Sequence, residues 1–338
     1  MTEEQHLDGF LLDAARIRAE RARGIWPDRV ATEYLDRWVA EKPEATALVA
    51  WRLEEENETR LSYRDLARRV ARAAAVLARA GVRRGDVVSF QLPSWWELVA
   101  VYLATVRLGA VANPLMPIFR QRELSFMLGQ AASRVLVAPA RFRGYDHAAL
   151  ARQLAAQLPG LRLLVAGGEG AESLEGALAA ERASGADAGP FARGARLQPN
   201  DVTQLLYTSG TTGEPKGVLH TSNTLFGAVL AFAERMRLGA DDAIFMPSPL
   251  AHQLGFAYGM LLSLALGVPL VLTDIWRPAR AAQLIEANGV TFTFAATPFL
   301  ADLAALPREG GRKLGRLRLF ASSGAPIPPA VVPAAREK

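Results

Sequence analysis

The richest run of chemistry-bearing residues is Thr208-Ser209-Gly210-Thr211-Thr212-Gly213-Glu214-Pro215-Lys216-Gly217. Hydroxyls, glycines and one lysine together suit a polyphosphate. Thr208, Ser209, Thr211 and Thr212 supply hydroxyl donors, and successive backbone N–H groups can form an anion-binding concavity. Gly210, Gly213 and Gly217 admit conformations closed to other residues and let a ligand come close. Lys216 supplies a mobile point charge for phosphate oxygens. The apolar residues 205–207 just before it read as a buried strand opening into this loop. The run is not a Walker A loop, which needs Gly-Lys-Ser/Thr at the mouth of a helix. Pro215 disfavours helix at Glu214, so Lys216 is expected on a loop. A surface turn between strand and helix is the plainer reading of such a composition.

Three further runs could meet a ligand. Pro247-Ser248-Pro249-Leu250-Ala251-His252 follows an expected strand, and ligands of open α/β sheets gather beyond the carboxyl ends of strands. A lone histidine there also fits a satisfied structural role. Thr291-Phe292-Thr293-Phe294-Ala295-Ala296-Thr297-Pro298 reads as a buried strand running into a helix start, and core packing accounts equally well for its two phenylalanines. Ser322-Ser323-Gly324-Ala325-Pro326 follows the last expected strand and reads by itself as a turn.

Taken whole, the 205–218 string resembles the phosphate-binding signature of the adenylate-forming (AMP-binding) superfamily, which includes acyl-CoA synthetases, luciferases and peptide-synthetase adenylation domains. That resemblance implies a ligase that joins a carboxylic acid to AMP from ATP, releases pyrophosphate, and passes the acyl group to a thiol, coenzyme A above all. Mg²⁺ would bridge phosphate oxygens. Residues 208–213 with Lys216 and Gly217 would hold the ATP phosphates, with Lys216, His252 and Thr208 closest to the chemistry. His252, Gly255, Phe256, Ala296 and Thr297 would line the acyl pocket. Gly324, Ala325 and Pro326 would lie against adenine. The runs Ser94-Trp95-Trp96-Glu97 and Asn113-Pro114-Leu115-Met116-Pro117-Ile118-Phe119-Arg120 resemble the branch near cyclohexanecarboxylate–CoA and medium-chain fatty acid–CoA ligases.

The chain departs from the family at its end. The sequence stops at Lys338, and the resemblance sets the family's metal-binding glutamate beyond that residue. The ribose-binding aspartate and the catalytic lysine of a mobile C-terminal domain would follow later still. Lys313 and Lys338 fit neither motif, so no metal ligand, ribose ligand or adenylation lysine is nominated. The expectation is an incomplete N-terminal part of such a ligase, unable to complete turnover alone. The alternatives are a non-catalytic ATP- or acid-binding homologue, a regulatory partner, and an adenylation domain that loads a carrier protein.

Composition agrees with a soluble globular protein. Of 338 residues half are hydrophobic and 22% charged, and there is no cysteine, which excludes disulfides, a thiol nucleophile and thiolate metal sites. A cytoplasmic protein is expected. The net charge of +5 is spread over presumed helices with acidic neighbours, without a basic block or aromatic interleaving, so nucleic acid is not an expected partner. Residues 243–273 carry no Asp, Glu, Lys or Arg, but their prolines and glycines break the run into loop, helix and strand, so no membrane span is expected.

The elements that must position these residues alternate. Ser62, with Asp65 three residues on, should cap a helix whose stripe is Leu66, Val70, Ala73, Ala74 and Leu77. Strands are expected over 46–51, 59–61, 86–92, 110–113, 135–138, 161–166, 244–246, 268–272, 290–295 and 317–321. Helices are expected between them, including 95–108, 224–236 and 256–266. The order predicts an α/β fold with two β/α lobes of mostly parallel sheet flanked by helices. The first would span about 62–225, the second 25–61 with 226–338.

Overall fold

The computed structural model describes residues 13–183, 197–208, 214–306 and 314–336. Among them are two six-stranded sheets and a small hairpin. The first sheet contains β1 (Thr46–Arg52), β2 (Asn57–Ser62), β11 (Ile244–Met246), β12 (Leu270–Thr273), β13 (Phe292–Ala296) and β14 (Leu319–Ser323), in the order β14-β13-β11-β12-β1-β2. The second contains β3 (Val87–Phe90), β4 (Val111–Pro114), β5 (Val135–Pro139), β8 (Arg162–Ala166), β9 (Val202–Thr208) and β10 (Lys216–Thr221), in the order β10-β9-β4-β3-β5-β8. Each sheet is parallel except at one edge, where β2 and β10 run antiparallel to their neighbours. The hairpin pairs β6 (Arg141–Phe142) with β7 (Tyr145–Asp146).

The first helices are α1 (Ala14–Ala22), α2 (Ala31–Glu41), α3 (Tyr63–Arg79), α4 (Trp96–Arg107), α5 (Gln121–Gln130), α6 (His147–Gln157) and α7 (Leu174–Ala183). After the second sheet come α8 (Ser222–Arg235), α9 (Gln253–Gly255), α10 (Leu262–Leu266), α11 (Pro278–Ala287), α12 (Thr297–Ala305) and α13 (Val331–Arg336). The core lies between the sheets. Helix α4 runs through it, with every residue from Trp96 to Val106 buried, as an apolar helix requires. Each fully buried aliphatic side chain there contributes about 1.5–3 kcal/mol. Helix α3 packs beside it and buries the expected stripe. Its capping box is present: Ser62 Oγ accepts the Asp65 N–H at 3.1 Å, and Asp65 Oδ2 accepts the Ser62 N–H at 3.4 Å.

Two expectations need correction. Lys216 does not sit on a loop; it opens β10, opposite Thr208 on β9. The strand went unread because Lys-Gly-Val-Leu-His-Thr is an edge strand whose first half is exposed, so it carries little hydrophobic alternation. Residues 256–266 are not one α-helix. A continuous helical segment begins earlier as α9, passes through a π turn (Phe256–Leu261), and ends as α10. Nothing in local sequence marks a π turn.

Candidate functional site

Thr208 closes β9 at the carboxyl end of the second sheet, and Lys216 opens β10 beside it. The ladder sets them opposite one another, and Thr208 Oγ1 donates to the Lys216 carbonyl at 3.4 Å. Both side chains are exposed. Ser209, Gly210, Thr211, Thr212 and Gly213 lie outside the described residues. Just inside, burial pushes the Tyr207 phenol up to about 12, and its hydroxyl donates to the Met127 carbonyl at 3.1 Å. That bond fixes the base of the loop to α5.

His252 comes from the other sheet. Residues 247–252 follow β11, and their course is set by close packing. A Cβ on Gly255 would stand 2.3 Å from the Pro249 carbonyl oxygen and 2.8 Å from that of Ser248, so only glycine fits. His252 caps α9: its Nδ1 accepts the Leu254 N–H at 3.2 Å. A neutral ring then carries its proton on Nε2, free to donate to an anionic oxygen. The imidazole is exposed.

A cleft of about 620 Å³ brings these pieces together. Thr208, Pro215 and His252 line it, with Met116, Phe119 and Leu206 among its apolar walls. It therefore joins the strand end before the hydroxyl-rich run to the histidine segment of the opposite sheet. The size suits a small organic ligand. The wall at 116–119 follows β4 and is held from within. Gln91 Nε2 donates to the carbonyls of Met116 at 3.1 Å and Phe119 at 2.9 Å, while its Oε1 meets His147 Nδ1 at 3.2 Å. Burial, helped by the nearby Arg120 charge, holds His147 down to about 4. Arg120 lies 3.9 Å over the Tyr145 ring and donates to the carbonyls of Pro117 and Phe119. Sequence reasoning did not give 116–119 a place in the site. Its position after a parallel strand was the available signal.

The other residues form a second group. Ala296 ends β13, and Thr297 begins α12. Thr297 Oγ1 donates to the Ala325 carbonyl at 3.1 Å and lies 3.2 Å from Ser322 Oγ. Gly324 has φ +87°, which favours glycine, and nothing lies within 4 Å of where its Cβ would be. Gly324, Ala325 and Pro326 are exposed. Since β11, β13 and β14 are adjacent and parallel, His252, Thr297 and Gly324 share one end of the sheet. Gly255, Phe256, Ala296 and Thr297 are not among the residues lining this cleft; Phe256 follows His252 in sequence, within the π turn. It is fully buried, edge-on to Tyr102 with ring centroids 4.8 Å apart. Phe294 stacks on Phe232 at 5.5 Å and meets Tyr258 at 5.4 Å.

Among the described residues no group of three or more His, Cys, Asp or Glu could hold a metal ion. Lys338, past which the resemblance sets the metal-binding glutamate, itself lies outside the described residues, as does Lys313. Among the described residues no helix is long and apolar enough to cross a membrane.

Known proteins share this architecture. The chain is 31% identical over 315 residues to a medium-chain fatty-acid–CoA ligase of Escherichia coli, covering 93% of this chain and 54% of that protein. It is 32% identical over 300 residues to a salicyl-AMP ligase / salicyl-S-ArCP synthetase of Mycobacterium tuberculosis, covering 88% and 52%. The chain spans about half the length of the curated relatives it matches. Among solved structures it resembles apo MbtA of Mycobacterium smegmatis, with a TM-score of 0.79 and 28% identity over 96% of this chain and 57% of that one. An anthranilate CoA ligase, AuaEII, in complex with anthranoyl-AMP shares the fold at a TM-score of 0.79 and 22% identity, over 92% and 58%. Residues 35–338 match the AMP-binding enzyme family, and with the parallel sheets and the hydroxyl-rich run after β9 this places the chain in that family.

Proposed function

We propose that this chain carries the acid- and ATP-binding side of a carboxylic acid–CoA ligase acting on a medium-chain or alicyclic acid. The observation that carries the reading is the cleft shared by Thr208, Pro215 and His252, drawn from two sheets. The substrate carboxylate attacks the α-phosphorus of ATP. A new O–P bond forms as the bond to the β-phosphate breaks, and pyrophosphate leaves with its electrons. Coenzyme A thiolate then attacks the acyl carbon, and AMP departs. Such phosphoryl chemistry is chiefly positioning and charge neutralisation. Lys216 and the Thr208 hydroxyl face the leaving phosphates. His252 Nε2–H orients a carboxylate or α-phosphate oxygen. The apolar wall from Met116 to Leu206 keeps water from the mixed anhydride. Ala296, Thr297 and Gly255 bound the acyl side, and Gly324 to Pro326 the adenine side.

A carrier-protein thiol in place of coenzyme A is the second reading, favoured by the relative named as a salicyl-S-ArCP synthetase. Pyrophosphate release with medium-chain, alicyclic and aryl acids tests the first half-reaction, and coenzyme A against a carrier protein tests the second. In the full-length ligase that the resemblance implies, Lys216→Ala should slow pyrophosphate release by roughly 10²–10³-fold, the loss typical of one charge-stabilising donor. An unchanged rate removes Lys216 from the site. A chain that neither releases pyrophosphate nor binds a non-hydrolysable acyl-adenylate analogue for any acid overturns the reading.

A further inference from the structure

Ser94-Trp95-Trp96-Glu97, at the entry to α4, has no role in the chemistry above. Three of its residues reach across to the first sheet. Ser94 Oγ accepts the Leu250 N–H at 3.2 Å, just after β11. Trp95 Nε1–H donates to Asp274 Oδ2 at 2.8 Å, just after β12, and Asp274 Oδ1 accepts the Leu53 N–H at 3.0 Å. Glu97 forms an ion pair with Arg52 at the end of β1, and that guanidinium lies 3.9 Å over the Trp95 ring. Now β11, β12 and β1 are successive strands of the first sheet. One turn of chain thus grips three neighbouring strand ends.

These bonds are not surface contacts. Ser94 is 4% exposed, Trp95 4% and Glu97 2%. Buried polar groups persist only when partnered, and each partner removed leaves the other with a desolvation cost. The geometry also selects what is held. Leu250 lies two residues before His252, and Ala251 and His252 line the cleft. From the other side, α4 follows β3. That strand pairs with β4, β4 pairs with β9, and β9 ends at Thr208. A path of strand pairings and connecting chain from Thr208 to His252 therefore crosses between the sheets at the Ser94–Leu250 hydrogen bond.

We propose that Ser94–Glu97 is a strut setting the width of the cleft, and that Ser94 is a positioning residue holding His252 opposite Thr208. The strut stands on the contacts alone; its effect on ligand affinity rests on the proposed function. The test uses the ¹⁵N-labelled 338-residue chain and a medium-chain acyl-sulfamoyl adenosine as probe. Ser94→Ala should shift the His252 ring resonances and weaken the probe by roughly five- to tenfold, the worth of one buried hydrogen bond. The His147 resonances, set by Gln91, should stay in place, and Ser94→Thr should restore both readouts. A merely structural role would lower the melting temperature without moving His252 selectively. If Ser94→Ala fails to fold, Ser94→Cys, whose sulfur is a weak acceptor, carries the same readouts. His252 resonances and affinity unchanged in the folded variant overturn the strut. A wild-type chain that ignores the probe refutes the proposed function instead, and the His252 resonances then decide the strut.

Discussion

Gly255→Ala isolates what close packing does for the histidine segment. The residue has ordinary helical angles, φ −66° and ψ −40°, so alanine would adopt them without strain. Helix propensity alone favours the change by about 1 kcal/mol. Against this stands the contact: the new Cβ would lie 2.3 Å from the Pro249 carbonyl oxygen, 2.8 Å from its carbon and 2.8 Å from the Ser248 oxygen. All three are backbone atoms, so no side chain can rotate away. Reaching ordinary contact requires the 248–249 backbone to retreat by roughly 1 Å, which a packed interior resists. Overpacking of this kind costs about 1–3 kcal/mol. The net is a destabilisation of up to about 2 kcal/mol, visible in the urea midpoint, with His252 displaced and affinity for an acyl-adenylate analogue reduced. Gly239→Ala is the control, since nothing lies within 4 Å of its Cβ position. If Gly255→Ala proves as stable as wild type and binds the analogue equally well, the argument that this glycine fixes the His252 segment is wrong.

Two variants probe buried titrations. His147 sits near 4 in the fold against 6.5 when unfolded, chiefly through burial. Its contribution is present above pH 6.5 and is lost as pH falls toward 4, by up to about 3 kcal/mol. His147→Gln should flatten that acid limb in urea titrations at a series of pH values; an unchanged limb excludes His147 as its source. Glu97 runs the other way: burial raises it to about 7 from 4.5, with the Arg52 charge pulling against the rise. Its contribution is full below pH 4.5 and is lost as pH climbs through 7, again by up to about 3 kcal/mol. Relative to wild type, Glu97→Gln should therefore gain stability between about pH 5 and 8, and a constant difference across that range would contradict the assignment.

Much of the fold was legible because it is local. The Ser62–Asp65 box and the stripe from Leu66 to Leu77 announce α3, and the apolar run of α4 announces a helix buried on all sides. The candidate site was proposed from residue types: Thr208, Lys216 and His252 stood out before their positions were known. What stayed hidden depends on distant partners. Ser94 bonds a residue 156 positions away, Trp95 one 179 away and Glu97 one 45 away. No periodicity encodes such pairings. Strand β10 was hidden for a different reason: at a sheet edge its hydrogen bonds stabilise it with little apolar patterning.

The π turn at Phe256–Leu261 leaves the helical segment one residue longer than an α-helix of equal span requires. Deleting a single residue there would let ordinary helix close the gap. The wide turn has absorbed its extra residue, so the flanking halves would keep their facing. The change would be local: Tyr258 lies inside the turn, and its ring now meets those of Phe232 and Phe294 at centroid distances of 4.6 and 5.4 Å. A residue can thus be gained or lost here without turning the helix on either side, and the aromatic cluster around Tyr258 alone would register it.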